Sequence, residues 1–157
     1  MRLFSIYRIL LIAFALGFIG IKIPQAQVVV TEDQQLGFGT FSFVNYNAAL
    51  NINIENDGSY TANGNTVVIS PPSLGEYSMT SSQFNAVYTV VPPATVTLSG
   101  PDGDFTVDNF RVLPSSLVTD GAGSDNFSIA ARISTAGDGS SYDNGAYSTT
   151  FDITISF

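Results

Sequence analysis

Tyr147-Ser148-Thr149-Thr150-Phe151-Asp152-Ile153-Thr154-Ile155-Ser156-Phe157 alternates by parity. Tyr147, Phe151, Ile153, Ile155 and Phe157 share one parity, with Thr149 the small member of that set. Ser148, Thr150, Asp152, Thr154 and Ser156 occupy the other. Neighbouring side chains of a strand point to opposite faces, so this pattern predicts a strand with one apolar and one wet face. A chain end ordered in this way needs a neighbour in a sheet. Tyr147, Phe151, Ile153, Ile155 and Phe157 are therefore the candidate core or assembly strand.

The segments upstream read the same way. Leu50, Ile52 and Ile54 alternate with polar residues and stop at Asn56-Asp57-Gly58, a strong turn signal. Val67-Val68-Ile69 ends at Pro71-Pro72, and Ala86, Tyr88 and Val90 end at Pro92-Pro93. Val96 with Leu98, then Phe105 with Val107 and Phe110, then Phe127 through Ile133 add three more strands. The apolar phase slips at Gly39-Thr40 and again near Asp108-Asn109, which predicts bulges or bends there. Val28-Val29-Val30 is either a first strand or an extension that pairs elsewhere. No window of ten residues carries apolar residues at helical spacing. Short strands separated by Gly, Pro, Asn and Asp predict an all-β antiparallel sandwich or barrel.

The N-terminus sets a compartment. Arg2 and Arg8 precede an apolar run from Ile9 to Ile21, closed by Lys22 and Pro24. That run is too short to span a bilayer and suits a secretory signal, with Ala26 before the cut. Residues 1–26 are thus expected to be a signal peptide and 27–157 a single exported domain, destined for periplasm, cell surface or medium. Contact with membrane is expected only through the signal. A lipid anchor on a thiol is excluded because the chain has no Cys. Arg111 and Arg132 are the only bases after residue 26, against thirteen carboxylates, for a formal charge of −11. Such a surface repels nucleic acid.

Residues 27–157 contain no His, Cys or Lys. The usual general base, thiol nucleophile and Schiff-base amine are all missing, which leaves carboxylate chemistry. The carboxylates sit beside Gly and Asn, and Thr119-Asp120-Gly121 is not the order of an aspartyl protease. The expectation is a protein that is not an enzyme and has no cofactor. Asp102, Asp104, Asp120 and Asp125 are weak calcium candidates, since calcium takes six to eight oxygens from such loops. Turn chemistry accounts for the same residues, because Asp, Asn and Gly are what turns select.

Several pieces form an ordered pattern. They run from Leu36-Gly37-Phe38-Gly39-Thr40-Phe41 through Val67-Val68-Ile69-Ser70-Pro71 and Ala86-Val87-Tyr88-Thr89-Val90. Val96-Thr97-Leu98-Ser99-Gly100 and Phe105-Thr106-Val107-Asp108-Asn109-Phe110 follow, and Gly145-Ala146-Tyr147-Ser148-Thr149-Thr150-Phe151 closes the set. In this order they resemble domain-of-unknown-function family 4402 (DUF4402), small secreted bacterial proteins, over most of residues 27–157. The resemblance implies an immunoglobulin-like sandwich, similar in shape to spore coat protein U and to archaic chaperone-usher pilins. Two departures stand out. Such pilins often carry a disulfide, which this chain lacks, and their donor arm is longer than Gln27–Glu32. The leading expectation is a non-enzymatic secreted or cell-surface protein with a structural or adhesive role, in its specific form a pilin-like subunit. Its partners would be other copies of itself or a surface-assembly chaperone. The alternatives are a secreted binding module holding a small ligand or calcium in its Asp-rich loops, and a small outer-membrane barrel.

Overall fold

The computed structural model describes residues 27–157, so the expected signal peptide over 1–26 lies outside the described residues. Twelve strands and no helix make up the described chain. β1 (Val28–Gln34), β3 (Asn51–Ile54), β4 (Tyr60–Ala62), β6 (Gly75–Ser81), β8 (Thr95–Ser99), β9 (Asp104–Leu113) and β11 (Ser124–Ser134) share one antiparallel sheet. β10 (Leu117–Val118), β7 (Val87–Val91) and β12 (Thr154–Ser156) form a second sheet, and β2 (Thr40–Phe43) with β5 (Thr66–Ser70) a third. The two small sheets cover the large one in two separate halves. One half buries Tyr88, Val90 and Leu117 against Met79, Phe127 and Ile129. The other packs Phe41, Phe43 and Val68 onto Ile52, Ile54, Phe105, Val107 and Ile133. The fold is an all-β antiparallel sandwich. In the large sheet β6 with β1 and β3 with β4 lie along one edge of β11 and β9 with β8 along the other, and the sheet stays open at β1, β4 and β8, in place of the closed ring that an outer-membrane barrel requires.

β11 is the hub. Ser124–Ile129 pair with β6, Arg132–Ser134 pair with β3, and Ser128–Ser134 pair with β9. Phe127, Ile129, Ala131 and Ile133 point inward and are buried, and Ala130 is buried as well. Both phase slips are found. Gly39 has φ +70°, and a β carbon there would lie 2.1 Å from the Ser70 carbonyl oxygen. The β2–β5 register shifts at the neighbouring Thr40/Phe41. In β9, Asn109 has φ +50°, and the β9–β11 register shifts between Ala130 and Arg132. Asn56-Asp57-Gly58 closes the β3–β4 hairpin, with Ser59 N–H donating to Asp57 Oδ1 at 2.9 Å. Val28–Gln34 pairs with β6 at one edge of the large sheet, and Val28 is its one part-buried residue.

The structure departs from the sequence expectation in two places. β6 is a seven-residue strand in a stretch that reads as mere connection, although Tyr77 and Met79 face inward between exposed Glu76 and Thr80. The expected strand over 147–157 is a strand only at Thr154–Ser156, where it pairs with Val91–Thr89. Its parity holds: Tyr147, Phe151, Ile153 and Ile155 are half-buried while their polar neighbours are exposed. None of the five is fully buried, and Phe157 is exposed with its ring 5.7 Å from that of Tyr88. The reason is position: this segment lies in the thinner, divided layer, and the centre of the fold is taken by β11.

Stability should follow that ranking. Phe127→Ala is expected to cost about 3–5 kcal/mol. Phe151→Ala, at a half-buried site, should cost about 1–2 kcal/mol. Urea titration of both variants checks the order, and equal losses would contradict the hub role of β11.

Candidate functional site

A groove of about 780 Å³ lies between β2 and the segment that precedes β12, over β8 and β9. β2 forms one wall and residues 142–149 with Phe151 the other, while Val96 and Leu98 of β8 and Phe105, Val107 and Phe110 of β9 line its floor. Nine aromatic side chains line it. They are held by one another: Phe105 meets Tyr147 edge-on at 4.8 Å, Phe43 stacks on Tyr142 at 5.1 Å, and Phe110 lies 5.3 Å from Phe151. Tyr147 is further pinned by its hydroxyl, which donates to the carbonyls of Asp102 at 2.5 Å and Asp143 at 3.0 Å. Its ring lies where a β carbon at residue 100 would be, 2.2 Å from Tyr147 Cδ1, so Gly100 is what lets the ring approach.

Both walls present unpaired backbone. Val44 N–H donates to the Asn65 carbonyl at 2.9 Å, and the Phe43↔Thr66, Ser42↔Val67 register continues from there. Bonded and non-bonded pairs alternate in an antiparallel ladder. Ser42 therefore bonds to β5, and the N–H and C=O of Phe41 and Phe43 point away from it, toward the groove. Opposite, Ser148 makes a single bridge to Ser99, and among the described residues no backbone ladder engages 149–153. The groove is thus an apolar channel with strand edges on its two sides. Strand edges of this kind are templates for an added strand.

The Asp residues singled out from sequence are elsewhere and dispersed. Asp120 Oδ1 accepts the N–H groups of Ser124 and Ala122, each at 2.8 Å, in the turn that leads into β11. Those bonds hold its carboxyl below the usual carboxylate range. Asp125 accepts from Tyr88 Oη at 3.0 Å and from Val118 N–H at 3.2 Å. Burial, then this bond, pushes the Tyr88 phenol up. Asp102 accepts from Ser141 Oγ at 3.0 Å, and Asp104 opens β9. Among the described residues, no three His, Cys, Asp or Glu side chains converge as a metal site. Asp57 and Asp138 are held low by bonds from Ser59 and Ser140, and Asp108 by its two-point contact with Arg132 at 2.7 and 2.8 Å. Of the terminal set, Tyr147 and Phe151 line the groove, whereas Ile153 and Ile155 pack under the β7 sheet. The groove itself was not legible in the sequence. The clue that existed was the crowding of aromatics at 38–46 and 142–151, which also reads as ordinary core.

A family model described as a domain of unknown function, DUF4402, matches residues 28–157. No curated protein and no solved structure matches the chain.

Two measurements follow from the carboxylates. The pKa values of Asp57, Asp108, Asp120 and Asp138 are lower folded than unfolded, so these four stabilise the fold above about pH 4 and that contribution is lost as pH falls through the folded values. The melting temperature should stay level from neutral pH to about pH 5 and fall below about pH 4. Asp120→Asn, whose amide oxygen accepts the same bonds, should flatten part of that fall. Because these carboxylates already serve as turn acceptors, excess calcium should leave the melting temperature unchanged. A ligand at a hundred times its dissociation constant would add about 2.7 kcal/mol, so a rise of several degrees would refute this.

Proposed function

The chain belongs to the DUF4402 family, and from that premise we propose a non-enzymatic exported protein with a structural or adhesive role at the cell surface, acting as a pilin-like subunit. The observation that carries the reading is the groove between β2 and residues 142–151. Its floor is apolar, and its walls are the free edge of β2 and residues 142–149 with Phe151, a stretch that only the Ser148 bridge ties to a strand. An extended segment of another copy fits such a channel: backbone bonds to either wall supply affinity, and alternate side chains enter the aromatic floor. β1 is the segment most available for donation, since it lies at a sheet edge and contributes only Val28 to the core. The absence of His, Cys and Lys after residue 26 supports a role without acid–base or covalent chemistry.

The test places charge at the mouth of the groove. Ala146 and Thr149 are exposed residues of its rim. Ala146→Arg and Thr149→Arg should leave the melting temperature unchanged, because neither side chain is packed. Both should abolish the ladder of large species expected when the exported, surface-associated protein is run without heating. A protein that is monomeric in that fraction, or a ladder untouched by either substitution, would sink the reading. A monomer that binds a small ligand in the groove would favour the binding-module alternative.

A further inference from the structure

β5 has a second edge, opposite the one that pairs with β2. Thr66-Val67-Val68-Ile69-Ser70 pairs with β2 on one side, and among the described residues no strand pairs with it on the other. The same ladder alternation that frees Phe41 and Phe43 directs the N–H and C=O of Val68 to this outer edge. Val67 and Ile69 are 52 % and 68 % exposed. Natural proteins usually blunt an edge of this kind with charged residues, and none is present here. No charged side chain lies between Asp57 and Glu76, nor between Asp33 and Glu55, so both strands of this sheet and their flanking loops are neutral.

In a chain of net charge −8 this neutrality selects the occupant. A cationic partner would be drawn to the carboxylates elsewhere. A second copy is equally acidic and approaches without repulsion only where carboxylates are missing. The strand is also self-complementary. Run antiparallel about Val68, Thr66 faces Ser70, Val67 faces Ile69, and Val68 faces itself, so hydroxyl meets hydroxyl and branched side chain meets branched side chain. The register shift with β2 falls at Ile69, so the regular half Thr66–Val68 of each strand meets the shifted half of its partner. We propose that β5 pairs antiparallel with β5 of a second copy across a two-fold axis at Val68, joining the two β2–β5 sheets into one. Two-fold contacts of this type use one surface patch on both subunits. Ile69 belongs both to this edge and to the rim of the groove, while the rest of the contact, Thr66 to Val68, lies outside it.

Sedimentation of the exported protein over a range of concentrations tests this. A dimer should form, and it should strengthen from about 0.05 to 0.5 M salt, because screening relieves the repulsion between two acidic bodies while the contact itself holds no charge. Val67→Glu should raise the concentration needed for the dimer by at least about tenfold, with the melting temperature of the monomer unchanged. Val87→Glu, at an exposed valine of the other small sheet, should leave the dimer intact. The Val68 amide should gain protection from hydrogen exchange in the dimer. Thr149→Arg should leave the dimer in place, so a failure of the groove reading and a failure of this one are told apart. A monomer at every concentration would overturn the proposal. So would a dimer that survives Val67→Glu, one that is lost in Val87→Glu, or an unprotected Val68 amide.

Discussion

The structure depends on the backbone pairing of β11. Burying a strand removes water from its N–H and C=O groups, and each unmet group costs about as much as a lost hydrogen bond. β11 meets this demand with three neighbours: β6 and β3 along one edge and β9 along the other. Those three strands are fixed in register by it, and β1, β4 and β8 are fixed in turn by pairing to them. The two cores lie over its two halves, with Phe127 and Ile129 under one small sheet and Ala131 and Ile133 under the other. Thr135, just past the strand, carries the same logic into the loop by accepting the Leu50 N–H on its Oγ1 at 3.0 Å.

The thin layer has no such hub. Its two sheets are separate, and beside β2 a channel remains against residues 142–151. Aromatic rings hold that channel open. A ring is rigid, fills space with little loss of side-chain entropy, and prefers offset or edge contacts to collapse. Phe43, Phe105, Tyr142 and Tyr147 form a continuous set of such contacts, and the Tyr147 hydroxyl ties the far wall to the Asp102 loop. The edges left on β2 and β5 are therefore consequences of dividing the layer.

Charge is distributed to match. The carboxylates collect at turns and strand ends, where backbone N–H groups and hydroxyls fix them, and at Asp108 against Arg132. Arg111 is spent on the carbonyl of Ile54 and the amide oxygens of Asn53 and Asn56. What remains uncharged is the β2–β5 half, beside the groove. On an acidic protein, a neutral flank is where the repulsion between two copies is weakest.

The sequence by itself determined the class of the fold, most strand positions and the two bulges, because these are local. Period-two alternation at Leu50–Ile54 and Phe127–Ile133, the turn at Asn56-Asp57-Gly58 and the slips at Gly39 and Asn109 are each written within a few residues. It also determined which face of Tyr147–Phe157 turns inward. Only the tertiary structure decided how deeply that face is buried, since depth depends on which strand takes the centre, and β11 took it. β6 escaped notice because Tyr77 and Met79 are too sparse to announce a strand until β1 and β11 supply ladder partners on both sides. The groove was illegible for the same reason. Phe41 on β2 and the distant Tyr147 read as two pieces of ordinary core, and only their packing over β8 and β9 sets them as opposite walls of one groove.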